Sequence, residues 1–293
     1  MSDEAASATP PLEPPEPQHT GIRGLVHDIL SLDRGALAIL VTVPIALTLL
    51  DYYGMPWNYK EDGNYRYMQD RSRRPMHRWH QMRSSEPPLA ETVHKIDVPG
   101  PVEVRSYVWW GACCLLFLVF LPMVVARLFA KLTPRATGVR LRGTWPDAIT
   151  YGILFLIFLP VVVLVARDPA FQQTYPFFRP SRWAKGDLTI GWDFVLFEIV
   201  YCAQFFAVEY FFRGFMVIGL KRTLGWASVL VMLAPYCMIH YYKPMPEAMG
   251  AIGAGLVLGA LSWRTETIIW GWALHYGVAL TMDLLGLYHR GIL

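Results

Sequence analysis

Apolar residues run along this 293-residue chain in long continuous blocks, not in alternation with polar ones. The blocks are roughly 18 to 25 residues long, which matches ~30 Å of hydrocarbon at ~1.5 Å per helical residue. In lipid each segment must satisfy its own backbone groups, so continuous blocks predict helices and not the alternating strands of a barrel. Spans are predicted near 36–53, 107–129, 149–166, 194–220, 226–240, 247–263 and 267–287. The expected fold class is all-α, a polytopic membrane helix bundle of about seven transmembrane helices.

Polar punctuation divides the chain into three parts. Residues 1–35 begin with Pro10, Pro11, Pro14, Pro15 and Pro17 among Glu and Ala, a disordered tail with nothing to bury. Ile22, Leu25, Val26, Ile29 and Leu30 then repeat at helical spacing beside Arg23, Asp28, Asp33 and Arg34. That pattern fits an interfacial helix, or equally a soluble amphipathic helix packed on the next segment. Residues 36–190 hold the first three spans and a polar stretch, 54–106, that carries nine Lys or Arg. This stretch is too long for a turn and predicts an extramembrane cap or partner surface. Trp109 and Trp110 read as interface anchors, and 167–190 as a polar connection. Within 191–293 the connections are short, so the last four helices should pack as antiparallel neighbours. Gly250, Gly253, Gly255 and Gly259 offer one of them a small-residue face for close packing. The short basic loop 131–142 argues for a cytoplasmic position and an inside N-terminus, although 54–106, with more positive charge, would then lie outside.

Composition sharpens this picture. An apolar share of 54% with only 17% charged residues and a mean hydropathy of +0.31 indicates an integral, multi-pass protein, expected in the cell membrane. A net charge of +3 is ordinary for such a protein and gives no sign of a nucleic-acid partner. Cys113, Cys114, Cys202 and Cys237 all lie in apolar runs without metal-ligand spacing and read as small buried hydrophobes. The first apolar block follows an acidic, proline-rich start, so no cleavable signal peptide is predicted.

Candidate chemistry comes from ionisable residues inside the apolar blocks, each of which costs roughly 2.5 to 3.5 kcal/mol at mid-bilayer. Glu209, Arg213, His240 and His275 stand out, with Glu198, Glu247 and Asp283 nearer span ends. By helical rise, Glu209 lies about 17 Å in from Leu220, His240 about 21 Å in from Trp226, and His275 about 15 Å in from Thr265. Three helices thus bring an acid and two imidazoles to nearly one level. Glu209 and Arg213 are spaced i, i+4 and can pair. Two chemistries suit the set. Glu209 and His240 could activate a water for attack on a peptide carbonyl while His275 stabilises the oxyanion. Alternatively, His240, His275 and Glu209 could bind Zn²⁺, which would supply the activated water. Neither H-E-x-x-H nor G-x-S-x-G occurs, and the sequence does not choose between these routes.

Val208-Glu209-Tyr210-Phe211-Phe212-Arg213-Gly214-Phe215 resembles the E-E-x-x-x-R-G-[FW] signature of the CAAX protease and bacteriocin-processing (CPBP) family of intramembrane endopeptidases. Tyr236-Cys237-Met238-Ile239-His240 resembles the family's F-x-x-x-H motif, and His275 the first residue of its H-x-x-x-[ND] motif. The resemblance covers about 190–290 and implies a type II CAAX prenyl protease-like enzyme with a polar intramembrane cavity open to one membrane face. It implies Glu209 as base, His240 as its partner and His275 as oxyanion donor. Two positions depart from the pattern. Val208 stands where the first Glu of the pair belongs, and Ala279 where Asn or Asp belongs. Glu247 is a supporting candidate for the missing groups, and Asp283, about 12 Å beyond His275 by helical rise, a weaker one.

Each residue also has a plainer reading. Glu209 with Arg213 could be a structural ion pair, His240 a helix cap, and His275 polar glue between helices. Glu198, Glu247 and Asp283 read more simply as interfacial carboxylates, and His77 and His80, among Arg74, Arg78 and Arg83, as a solvated face. Their joint placement favours an endopeptidase acting on a membrane-associated peptide or protein. The alternatives are an inactive family member serving in immunity or partner binding, and a proton-coupled transporter, for which no internal repeat is visible.

Overall fold

The computed structural model describes residues 33–56, 103–141, 144–180, 182–183, 186–241, 243 and 245–293. The expected tail, the surface helix over 22–30, and most of the 54–106 stretch with His77 and His80 lie outside the described residues.

The described chain forms α1 (Arg34–Gly54), α2 (Val104–Phe129), α3 (Trp145–Val165), α4 (Pro169–Thr174), α5 (Trp192–Leu224), α6 (Ala227–Met238), α7 (Met245–Thr265) and α8 (Ile269–His289), with no strand among the described residues. Four of these helices, α1, α2, α3 and α5, are long and apolar enough to cross a membrane. Asp33 opens α1 by accepting the Ala36 N–H at 2.7 Å, satisfying one of the free donors of the first turn. Gly225, with φ +54°, reverses the chain between α5 and α6. That turn is tied to the end of α7. Trp263 donates its indole N–H to the Gly225 carbonyl at 3.0 Å, and Lys221 reaches both the Trp263 carbonyl and Glu266 Oε1 at 2.7 Å. The hydrogen bond from Lys221 holds the Glu266 carboxyl below its ordinary range.

α5 is the centre of the bundle. Half of its apolar stretch is buried, whereas only 6% of that of α3 is. Ile149, Leu156, Ile157 and Leu164 project outward from α3 with more than half their surface open, an arrangement that suits lipid and not water. α2, α6, α7 and α8 surround α5, and α3 lies outside them against α8.

Two expectations change in the last four helices. Gly255 and Gly259 do allow close packing, since a Cβ there would come within 2.7 Å of Leu233 and 2.8 Å of Val229 on α6; Gly250 and Gly253 face open space, so the small-residue face is half as long as expected. α6 spans 12 residues and ends at Met238, about 18 Å by helical rise. His240 therefore lies in the turn beyond the helix and not within it.

Candidate active site

α5 changes pitch where its ionisable residues lie. Trp192–Glu209 is α-helical, and Tyr210–Ile218 is a nine-residue π-helical stretch. Such wide turns are rare and recur at functional sites. Gly214 accommodates this one against the 133–139 turn, because a Cβ there would lie 2.5 Å from the Thr137 carbonyl oxygen. The Arg-Gly pair of the signature therefore combines a charge with a close approach of backbone.

Glu209 and Arg213 are both fully buried. Glu209 Oε1 lies 3.1 Å from Arg213 Nη1 and 2.9 Å from His275 Nδ1 on α8. Either charge alone would be expensive here, and together they neutralise one another. The Arg213 guanidinium also sits 4.0 Å above the Tyr236 ring of α6, a cation–π contact strengthened by the dry surroundings. Phe205 packs its ring 4.5 Å from that of His275. Gly271, one turn before His275, lets α8 approach the carboxylate: a Cβ there would lie 3.0 Å from Glu209 Oε2.

His240 is placed differently. Its Nδ1 is 2.9 Å from the Tyr236 carbonyl, its ring is 4.8 Å from the Tyr236 ring, and among the described residues it makes no hydrogen bond to Glu209 or His275. Tyr236 is the link, since its ring touches the Arg213 guanidinium on one side and the His240 imidazole on the other. Sequence reading passed over Tyr236 except as the first residue of a motif; only a contact between helices reveals its role.

The tautomers follow from the partners. A carbonyl only accepts, so His240 Nδ1 carries its proton and the neutral ring presents a lone pair at Nε2. An ionised Glu209 likewise fixes the proton of neutral His275 on Nδ1 and leaves Nε2 an acceptor.

The supporting carboxylates face elsewhere. Glu247 pairs with Lys243 and accepts the Tyr175 hydroxyl at 3.2 Å. Asp283 is fully buried; its Oδ1 accepts the Phe177 N–H at 2.7 Å, and its side chain shares a hydrogen bond with Glu198. Glu198 also accepts from the Tyr276 hydroxyl at 3.3 Å. Two carboxylates are both acceptors, so the contact between Glu198 and Asp283 requires one proton between them. Neither Glu247 nor Asp283 hydrogen-bonds to Glu209, His240 or His275 among the described residues. A zinc ion does not fit what is present: no three His, Cys, Asp or Glu side chains among the described residues are arranged to hold a metal. Two hollows lie away from these residues: one of about 340 Å³ is lined by Pro169, Gln172, His289 and Arg290, and one of about 260 Å³ by Thr133, Arg135, Ala136, Arg140 and Glu266.

The order of an acid and arginine on one helix and a histidine after the next is thus carried by a folded bundle, with a second histidine bonded to that acid. Residues 190–281 match the family model Type II CAAX prenyl endopeptidase Rce1-like. The match begins just before α5 and ends within α8, so the Rce1-like segment contains Glu209, Arg213, His240 and His275 and leaves out Asp283. It bears out the resemblance read from the motifs. α1 to α4 lie outside it. No curated protein and no solved structure matches the chain.

Proposed function

We propose that the protein is a multi-pass intramembrane endopeptidase that hydrolyses a peptide bond of a membrane-associated peptide or protein. The contact that carries this reading is the part-buried Glu209–His275 hydrogen bond of 2.9 Å, backed by Arg213. Arg213 keeps Glu209 ionised, and Glu209 holds His275 with its proton on Nδ1. His275 Nε2 then accepts a proton from water as the water oxygen attacks the scissile carbonyl carbon, and later delivers it to the leaving amine nitrogen. The imidazolium formed in between is stabilised by the Glu209 carboxylate. His240 offers a second Nε2 lone pair to orient the water. In this reading His275 acts as the base, a different role from the oxyanion donor that the resemblance implies. No step is assigned to a metal. The Rce1-like match supports a prenylated C-terminal peptide as the substrate class.

A second reading has its own support. Val208 and Ala279 are 3% and 5% exposed within the apolar core, at the two positions where the signature carries polar groups. This suits an inactive descendant that binds a partner.

Cleavage of membrane-tethered peptides, prenylated and unprenylated, by the protein in lipid nanodiscs separates the two readings. Glu209→Ala, His275→Ala and His240→Ala should each lower turnover by about 10²- to 10⁴-fold. Identical product patterns from wild type and Glu209→Ala would leave only the partner-binding reading.

A further inference from the structure

Three groups around Glu209 are buried with hydrogen-bonding capacity unused. The hydroxyl of Tyr151 on α3, Oγ of Ser262 on α7 and Glu209 Oε2 have no aligned hydrogen bond among the described residues. Tyr151 is 3% exposed, and Ser262 and Glu209 are fully buried. Polar groups deep in a protein without partners are costly, and a cluster of them beside a buried carboxylate is a candidate site for binding or chemistry. They also lie close together. The point where a Cβ on Gly271 would sit is 3.0 Å from Glu209 Oε2 and 3.8 Å from Cε1 of the Tyr151 ring. The Tyr151 hydroxyl lies beside Ser262 and Thr265, and its ring packs with Leu258 and Leu274.

Hydrolysis needs a donor for the oxygen that becomes negative. Both Nδ1 protons are already committed, to the Tyr236 carbonyl and to Glu209, and in the proposed mechanism the Nε2 atoms are engaged with the attacking water. Ala279 has no polar atom on its side chain. The Tyr151 and Ser262 hydroxyls are donors still without an aligned acceptor. Building on the endopeptidase reading, we propose that Tyr151 is a catalytic residue whose phenol O–H donates to the carbonyl oxygen of the scissile bond, with Ser262 beside it. α3 packs mainly on α8 and leaves most of its apolar surface exposed.

The test is steady-state cleavage by Tyr151→Phe in nanodiscs, with Glu209→Gln as the inactive control and the thermal midpoint recorded for each. The Phe ring keeps the packing against Leu258 and Leu274. Expected is a fall in kcat of about 10²-fold with KM within about twofold, the size seen when one oxyanion donor is removed. Ser262→Ala should fall less. Should Tyr151→Phe fail to fold, 3-fluorotyrosine at position 151 takes its place. Its more acidic phenol should move the alkaline limb of the kcat profile to lower pH, which a packing role would not do. Turnover by Tyr151→Phe within twofold of wild type, or an unmoved alkaline limb, overturns this proposal alone. No cleavage by wild type overturns the endopeptidase reading and this proposal with it.

Discussion

Replacing Glu209 by Gln separates what the buried ion pair does for the fold from what it does in chemistry. At 3.1 Å and an effective dielectric near 20, the attraction between Glu209 and Arg213 amounts to about 5 kcal/mol. Desolvating both groups offsets most of it, so the pair contributes little net stability. The Glu209→Gln variant leaves the guanidinium charged, fully buried and without a counter-charge, with only the amide oxygen and the Tyr236 ring beside it, which is expected to cost about 3 to 5 kcal/mol. For a chain of this size that is a fall in thermal midpoint on the order of 10 °C. Removing the second charge should return much of the loss. Glu209→Gln with Arg213→Met puts an uncharged amide and an apolar side chain of similar length where the pair was.

The assay is thermal unfolding in a single detergent, followed by intrinsic Trp fluorescence, for the two single variants and the double variant. The double variant should melt well above Glu209→Gln alone, with a coupling of at least about 2 kcal/mol, and should still show no cleavage. A double variant no more stable than Glu209→Gln would mean that Arg213 does not depend on Glu209 for its charge, and the ion-pair reasoning would fail. Recovered stability without recovered turnover would locate the requirement for the carboxylate in the reaction.

Gly271→Ala puts a methyl group 3.0 Å from Glu209 Oε2, so it should reduce turnover several-fold with little change in melting. Gly214→Ala meets the Thr137 carbonyl at 2.5 Å, where backbone must move, and should instead cost about 1 to 3 kcal/mol in stability. Asp283→Ala should destabilise by about 1 to 3 kcal/mol by stranding the Phe177 N–H and Glu198, while Asp283→Asn, which supplies its own N–H to Glu198, should cost less; equal melting of the two variants would contradict a shared proton.

The helices, four of them long and apolar enough to cross a membrane against the seven spans expected, and the pairing of Glu209 with Arg213 were legible because periodicity and rise convert position into face and depth. His275 was legible in the same way, since α8 is regular from Ile269 to His289. The estimate weakens where the helix does. The π-helical stretch alters the rise between Glu209 and Leu220, and α6, with Pro235 inside it, stops before His240. Contacts between distant segments had no local signal. Glu198 and Asp283 looked like interfacial carboxylates, and nothing in their own surroundings in sequence announced that they meet. Tyr151 and Ser262 were hidden for another reason: a hydroxyl in an apolar run is common, and only its lack of an aligned partner in three dimensions sets it apart.

Val208 is where the sequence pattern and the packing can be set against each other. The signature calls for a second carboxylate there, next to the one that is present. The structure puts Val208 at 3% exposure inside the main apolar cluster, while Glu209, one residue on, faces Arg213 and His275. Adjacent residues on this helix point about 100° apart, so a carboxyl at 208 could not share those partners without turning the helix. A buried carboxyl without partners takes up a proton or costs several kcal/mol. Val208→Glu should therefore lower the thermal midpoint and leave cleavage unchanged or reduced. Faster cleavage with unchanged melting would show that α5 rotates readily enough to use either position, and that the single-carboxylate site is one of two settings of the same helix.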